Sequence, residues 1–196
     1  MAVRLENHYL FIKSKQRCQE ILTKKERSTG EIIDFLINLH FVLEIGLNGF
    51  FRQIILTQTQ STIDKIKIAE TLDKISFIDK TILFFYLPHF DFKGDIQNVN
   101  KYHAAIGKLR GFSEIRNKLL HGHIDAIISY ENGISTRSVT NQLTNSKNTM
   151  QKQIDAFKFI IEAISFYFDH FEGTFKKIGR QDLKNFYLNT DFLKTK

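Results

Sequence analysis

The chain has 196 residues, 42% of them hydrophobic and nineteen of them Phe; this is the length of one ordinary domain with ample material for a core, and it excludes a disordered chain. One Pro, no Trp and a single Cys argue for long helices joined by short turns, exclude an intramolecular disulfide or a cysteine cluster for zinc, and fit a reducing, cytoplasmic setting. The formal net charge of +7 and a pI near 9.4 give a field that attracts polyanions, nucleic acid first among them, although a basic surface that only aids solubility has the same balance and no basic run exceeds Lys24-Lys25-Glu26-Arg27.

Met1 to Arg17 alternates apolar and charged residues and lacks the unbroken apolar core of a secretion signal. A first helix is expected from about Leu5 to Lys25. Ser28-Thr29-Gly30-Glu31 has capping-box spacing and opens a second helix to about Thr57, apolar almost all round and hence the central element of a bundle. Its stretch from Phe35 to Leu56 carries His40, Glu44, Asn48 and Arg52, so it reads as a core helix and not as a membrane span. Ser61-Thr62-Ile63-Asp64 resembles another N-cap, opening a third helix that ends near Pro88. A connector with Gly94 follows from Asp91 to Asn100, then a fourth helix from Tyr102 to His121.

Beyond it the pattern turns to alternation: Ile124 to Tyr130, Glu131-Asn132-Gly133, then Ile134 to Val139, with Asn-Gly as a hairpin signal. A polar loop runs from Asn141 to Thr149. The last long helix repeats apolar residues at Ile154, Phe157, Ile161, Ile164, Phe168, Phe171 and Phe175, a core stripe or a helix-to-helix dimer seam, with the mixed flanks favouring core. The tail from Lys176 to Lys196 holds a short amphipathic piece around Leu183 to Leu188. The expected organisation is one all-α domain over residues 1–196, with a small β-hairpin at about 124–139.

Arg116-Asn117-Lys118-Leu119-Leu120-His121, followed by Gly122 and His123, carries the functional signal. Wound at about 100° per residue, the fourth helix places Ala105, Leu109, Phe112, Leu119 and Leu120 on one apolar stripe, with Arg116 in its middle. A buried guanidinium is rare unless matched, so Arg116 either meets a carboxylate, with Glu44 the candidate, or faces a cleft. Asn117 and His121 are an i, i+4 pair on a polar side with Arg110 and Ser113, where an amide can orient an imidazole. Gly122 suits the position after the helix end and puts His121 in the last turn. There the helix carbonyls favour a protonated imidazole and Arg116 opposes it, which balances the group near neutral pH.

Arg-Asn-x-x-x-His-Gly at the end of a late helix resembles the HEPN superfamily, whose signature is an Arg, four to six residues, then a His, often with a polar residue after the Arg. The likeness is sharp over this segment and loose over the rest. It implies an antiparallel helical bundle of about five helices with the hairpin inserted after the motif helix. It also implies a metal-independent endoribonuclease without cofactor, or a non-catalytic relative that binds RNA or a partner protein, acting as a homodimer whose two motifs line one cleft. The family's arginine maps to Arg116, its polar residue to Asn117 and its histidine to His121; His123 satisfies the six-residue spacing. The implied setting is a toxin or effector of a toxin-antitoxin or phage-defence system, with an antitoxin or defence protein as partner. Family members that install or receive nucleotides often carry Tyr two places after the His, where this chain has His123, which argues against an adenylylation-regulated toxin.

The bland readings of the same residues are a buried Arg116–Glu44 pair, His121 as a C-terminal cap and Asn117 as a solvated residue. His40 and Glu44, one turn apart, look like metal ligands but bring no third ligand with them. Glu114 and Lys118 read as a surface ion pair.

Overall fold

In the computed structural model, residues 2–58, 62–79, 82, 96–121, 124–129, 133–138, 149–177 and 182–194 are described. The chain is mostly helical. Helix α1 (Ala2–Leu22) buries Phe11, Ser14, Cys18 and Ile21, the three-four spacing of one helical face. It stops at Leu22 and not at the expected Lys25, because Arg27 folds back on the helix end. Its Nε donates to the Ile21 carbonyl at 2.8 Å and its Nη2 to the Leu22 carbonyl at 2.5 Å, while Thr23 Oγ1 donates to the Glu20 carbonyl at 2.8 Å. Those carbonyls would otherwise want the amides of a further turn.

Helix α2 (Thr29–Gln58) begins with a reciprocal cap. The Ser28 amide donates to Glu31 Oε2 at 2.9 Å, and the Glu31 amide to Ser28 Oγ at 3.3 Å. Lys24 adds an ion pair to Glu31; this pair first, then the Ser28 amide, holds the Glu31 carboxyl down at about 2.

Helix α3 (Thr62–Lys74) ends well before Pro88, correcting the expected single helix. Ser76 starts a new helical stretch at 77–79: its Oγ accepts from the Asp79 amide at 3.1 Å and donates to Asp79 Oδ2 at 2.6 Å. Ser-x-x-Asp is itself a capping pattern, and it competes with continuation of the helix. Pro88 and the connector as far as residue 95 lie outside the described residues.

Helix α4 (Ile96–His121) starts six residues before the expected Tyr102, since 96–101 hold neither Gly nor Pro to stop it. Strands β1 (Ile124–Ser129) and β2 (Gly133–Ser138) pair antiparallel, Ile124 opposite Ser138 and Ser129 opposite Gly133. Residues 130–132 between them, and 139–148 of the expected polar loop, lie outside the described residues. Helix α5 (Thr149–Lys177) is followed by α6 (Asp182–Leu188) and a 3-10 turn (Asp191–Leu193). Of the α5 stripe, Ile154, Phe157, Ile161 and Ile164 are buried; the side chains of Phe168, Phe171 and Phe175 lie outside the described residues.

Two compact units divide the chain: Met1–Val42 with Gly111–Phe157 and Phe192–Lys196, and Leu43–Arg110 with Lys158–Asp191. The first unit is built on Phe11, Cys18, Phe35, Leu39, Phe112 and Phe157, closed by Phe192, whose ring meets Phe157 edge-on at 5.8 Å. The second is built on Leu43, Leu47, Phe50, Leu109, Ile160 and Ile164. Each such side chain contributes roughly 1.5–3 kcal/mol by leaving water. Among the described residues, no helix is long and apolar enough to cross a membrane.

Candidate functional site around Arg116

The carboxyl-terminal part of α4, in the first unit, presents the motif. Phe112 and Ser113 are buried, Arg116 is half-buried and Asn117 is exposed. Arg116 Nη1 donates to Asn117 Oδ1 at 3.0 Å, so the amide next in sequence steadies the outer end of the guanidinium. The inner end differs: Arg116 Nε is buried and, among the described residues, meets no hydrogen-bond acceptor. A buried donor left unmade costs about 1–3 kcal/mol, and more when charged. That donor is closed to solvent, so an anionic oxygen brought by a ligand meets the exposed outer end of the guanidinium, a planar cation whose shape suits phosphate.

Beneath Arg116 lies a residue that sequence reasoning did not place in the site. His40 of α2 is only 3% exposed; its Nε2 lies 3.5 Å from Ser113 Oγ, and its ring stacks on Phe112 at 5.6 Å between centroids, 26° from parallel. Burial first, then the positive charge of Arg116, pushes the imidazole down to about 4, so it is neutral at physiological pH. The pair has the makings of a base and a hydroxyl nucleophile, but Ser113 is itself only 9% exposed, and a reacting group has no open approach to it. The contact acts as a clamp between helices. A signal for it was present in the sequence: an imidazole inside an otherwise apolar stretch needs a polar partner, and Ser113 sits beside the apolar stripe of α4.

The other expected residues fall as follows. His121 is the last residue of α4, and its side chain lies outside the described residues, as do Gly122 and His123 entirely. The orienting contact expected between Asn117 and His121 therefore also lies outside them. Glu44 is half-buried on α2 and belongs to the second unit. Glu114 and Lys118 are exposed, and the surface ion pair expected between them does not form. Arg116 and Asn117 are thus the expected residues that the fold brings together.

Elsewhere in the first unit, a groove of about 440 Å³ on α1 and α2 is lined by Lys13, Arg17, Glu20, Asp34, Leu10 and Phe41, among others. Its arginine is already engaged, with Nε at 2.6 Å from Asp34 and Nη1 at 3.2 Å from Glu20. That groove has less to offer an anion than Arg116 has. Among the described residues, no group of three or more His, Cys, Asp or Glu is placed to hold a metal ion. No protein-family model, curated protein or solved structure matches the chain, so the functional reading rests on the chemistry of the site.

Proposed function

We propose that the protein is a HEPN-type, metal-independent endoribonuclease, a cytoplasmic toxin or effector of a toxin-antitoxin or phage-defence system. The observation that carries this reading is the half-buried Arg116, which among the described residues forms no ion pair, on the helix that ends at His121. RNA carries a 2′-OH beside each phosphate. His121, or His123 in its place, takes the proton of that hydroxyl; the oxygen forms a bond to phosphorus, the bond to the 5′-oxygen breaks, and a protonated imidazole returns a proton to the leaving oxygen. The products are a 2′,3′-cyclic phosphate and a free 5′-OH. Such proton transfer contributes roughly 10²- to 10⁴-fold. Arg116, steadied by Asn117, stabilises the charge on the non-bridging oxygens.

Five residues separate Arg116 from His121, about 140° of helical rotation. A two-fold homodimer resolves that geometry by facing the arginine of one copy with the histidine of the other across a shared cleft. The net charge of +7 steers RNA to it. Arg116→Ala and His121→Ala are each expected to abolish cutting of RNA in excess chelator while leaving the circular dichroism spectrum unchanged.

The second reading, a non-catalytic module binding RNA or a partner protein, draws on the same guanidinium. It predicts that Arg116→Ala loses binding and that native protein leaves the RNA intact.

A further inference from the structure

The cutting chemistry does not use a buried polar contact of the first unit, the imidazole of His40 against Ser113 and Phe112. In a helix every side chain leans toward the amino-terminal end, over residues three and four places earlier. For Arg116 those residues are Ser113 and Phe112. That lean directs the Arg116 stem toward the two side chains that His40 meets from α2. We propose that His40 is a positioning residue for Arg116, fixing through Ser113 and Phe112 the turn of α4 from which the guanidinium reaches a phosphate.

This rests on the reading of Arg116 as a phosphate ligand. Three features support it. The imidazole is buried and stacked, so its rotamer is set by packing and not by solvent. It meets Ser113 by a polar contact, which is directional where an aliphatic side chain is not. It also stays uncharged beside the guanidinium, because burial and Arg116 both disfavour its protonated form, so it holds the turn without repelling the group it supports.

The test uses the full chain and four variants: Arg116→Ala, His40→Leu, His40→Gln and Ser113→Ala. A labelled oligoribonucleotide with 2′-deoxy substitutions reports binding, its unmodified counterpart reports kcat and KM, and both are measured at a temperature where melting curves show each variant folded. His40→Leu and Ser113→Ala are expected to lower kcat/KM by about 10²-fold, the cost of a misplacement near 1 Å, and to weaken binding of the substituted strand. His40→Gln, whose carboxamide can still meet Ser113 Oγ, is expected to recover most of the loss.

A merely structural His40 would lower the melting temperature and leave binding and kcat/KM of the folded protein as in the native chain. That outcome, or a His40→Gln no better than His40→Leu, overturns the proposal. Should His40→Leu fail to fold, Ser113→Ala removes the same contact from the other side and decides the matter. Arg116→Ala separates the two levels. If it binds and cuts like the native protein, the phosphate reading falls and the proposal with it; if it is inactive while the His40 and Ser113 variants are native-like, the proposal alone falls. If the native chain binds the strand without cutting it, binding by the same variants decides the proposal on the same terms.

Discussion

Burying the imidazole of His40 gives folding a pH dependence whose sign follows from its two states. In the unfolded chain it titrates near 6.5, and in the native protein burial and Arg116 hold it neutral down to about 4. The unfolded state therefore binds the extra proton between those values. The contribution of His40 is fully present above about 6.5 and is lost as pH falls toward 4, by about 3 kcal/mol in all. Urea titrations at pH 7 and pH 4.5 should show this loss in the native chain and much less of it in His40→Gln. Two helical glycines give opposite predictions. A Cβ at Gly49 would lie 2.5 Å from Tyr187 Cε1 and 2.8 Å from its Cζ, whereas one at Gly107 would meet nothing within 4 Å. Gly107→Ala should stabilise by about 0.5–1 kcal/mol through helix propensity. Gly49→Ala should destabilise by about 1–3 kcal/mol through overpacking, and Tyr187→Leu in the same chain should relieve part of the cost. At this scale Arg116 was legible because a cation interrupts a 3.6-residue apolar pattern. His40 was legible only as an imidazole in need of a polar partner; which partner was not, because it lies 73 residues away and no local spacing encodes that contact.

Helices were legible where their signals are local, and their ends were misjudged where a side chain reaches back over a turn. The Ser28–Glu31 cap reads directly from Ser-x-x-Glu, and α2 starts beside it at Thr29. Arg27 on the carbonyls of Ile21 and Leu22 does not read from spacing, since an Arg several residues past a helix looks like any solvated charge. Ser76 was overlooked because the apolar periodicity of 61–88 runs through it without interruption. Ser28→Ala removes an acceptor for the Glu31 amide and should cost about 1 kcal/mol in urea unfolding. Because the Glu31 carboxyl stays ionised down to about 2, that difference should persist from pH 7 to pH 4, unlike the contribution of His40.

The whole chain divides into two compact units, which composition and length do not foretell: 196 residues are the length of one ordinary domain. Three of the boundaries fall inside α2, α4 and α5, where the apolar pattern is continuous, and the fourth inside the 3-10 turn, so no linker marks them. The sequence left open what the last residues do, and the described part of them packs. Phe192 and Leu193 are buried in the first unit, and Lys15 lies over the rings of Phe11 and Phe192 at 4.2 and 5.5 Å. Burial lowers this lysine to about 8, which marks a site withdrawn from water. Truncation before Asp191 should therefore uncover Phe157 and lower stability by several kcal/mol, roughly the loss of two buried side chains, read as a fall in the urea midpoint.

RNA cutting is the claim on which the functional account stands. Purified native protein, Arg116→Ala and His121→Ala are incubated with end-labelled total RNA in excess chelator, and fragment ends are mapped at low and raised salt. The expected result is 2′,3′-cyclic phosphate ends from the native chain alone, with cutting that weakens as salt competes for phosphate contacts. Intact RNA with the native protein, or equal cutting by all three, would contradict it.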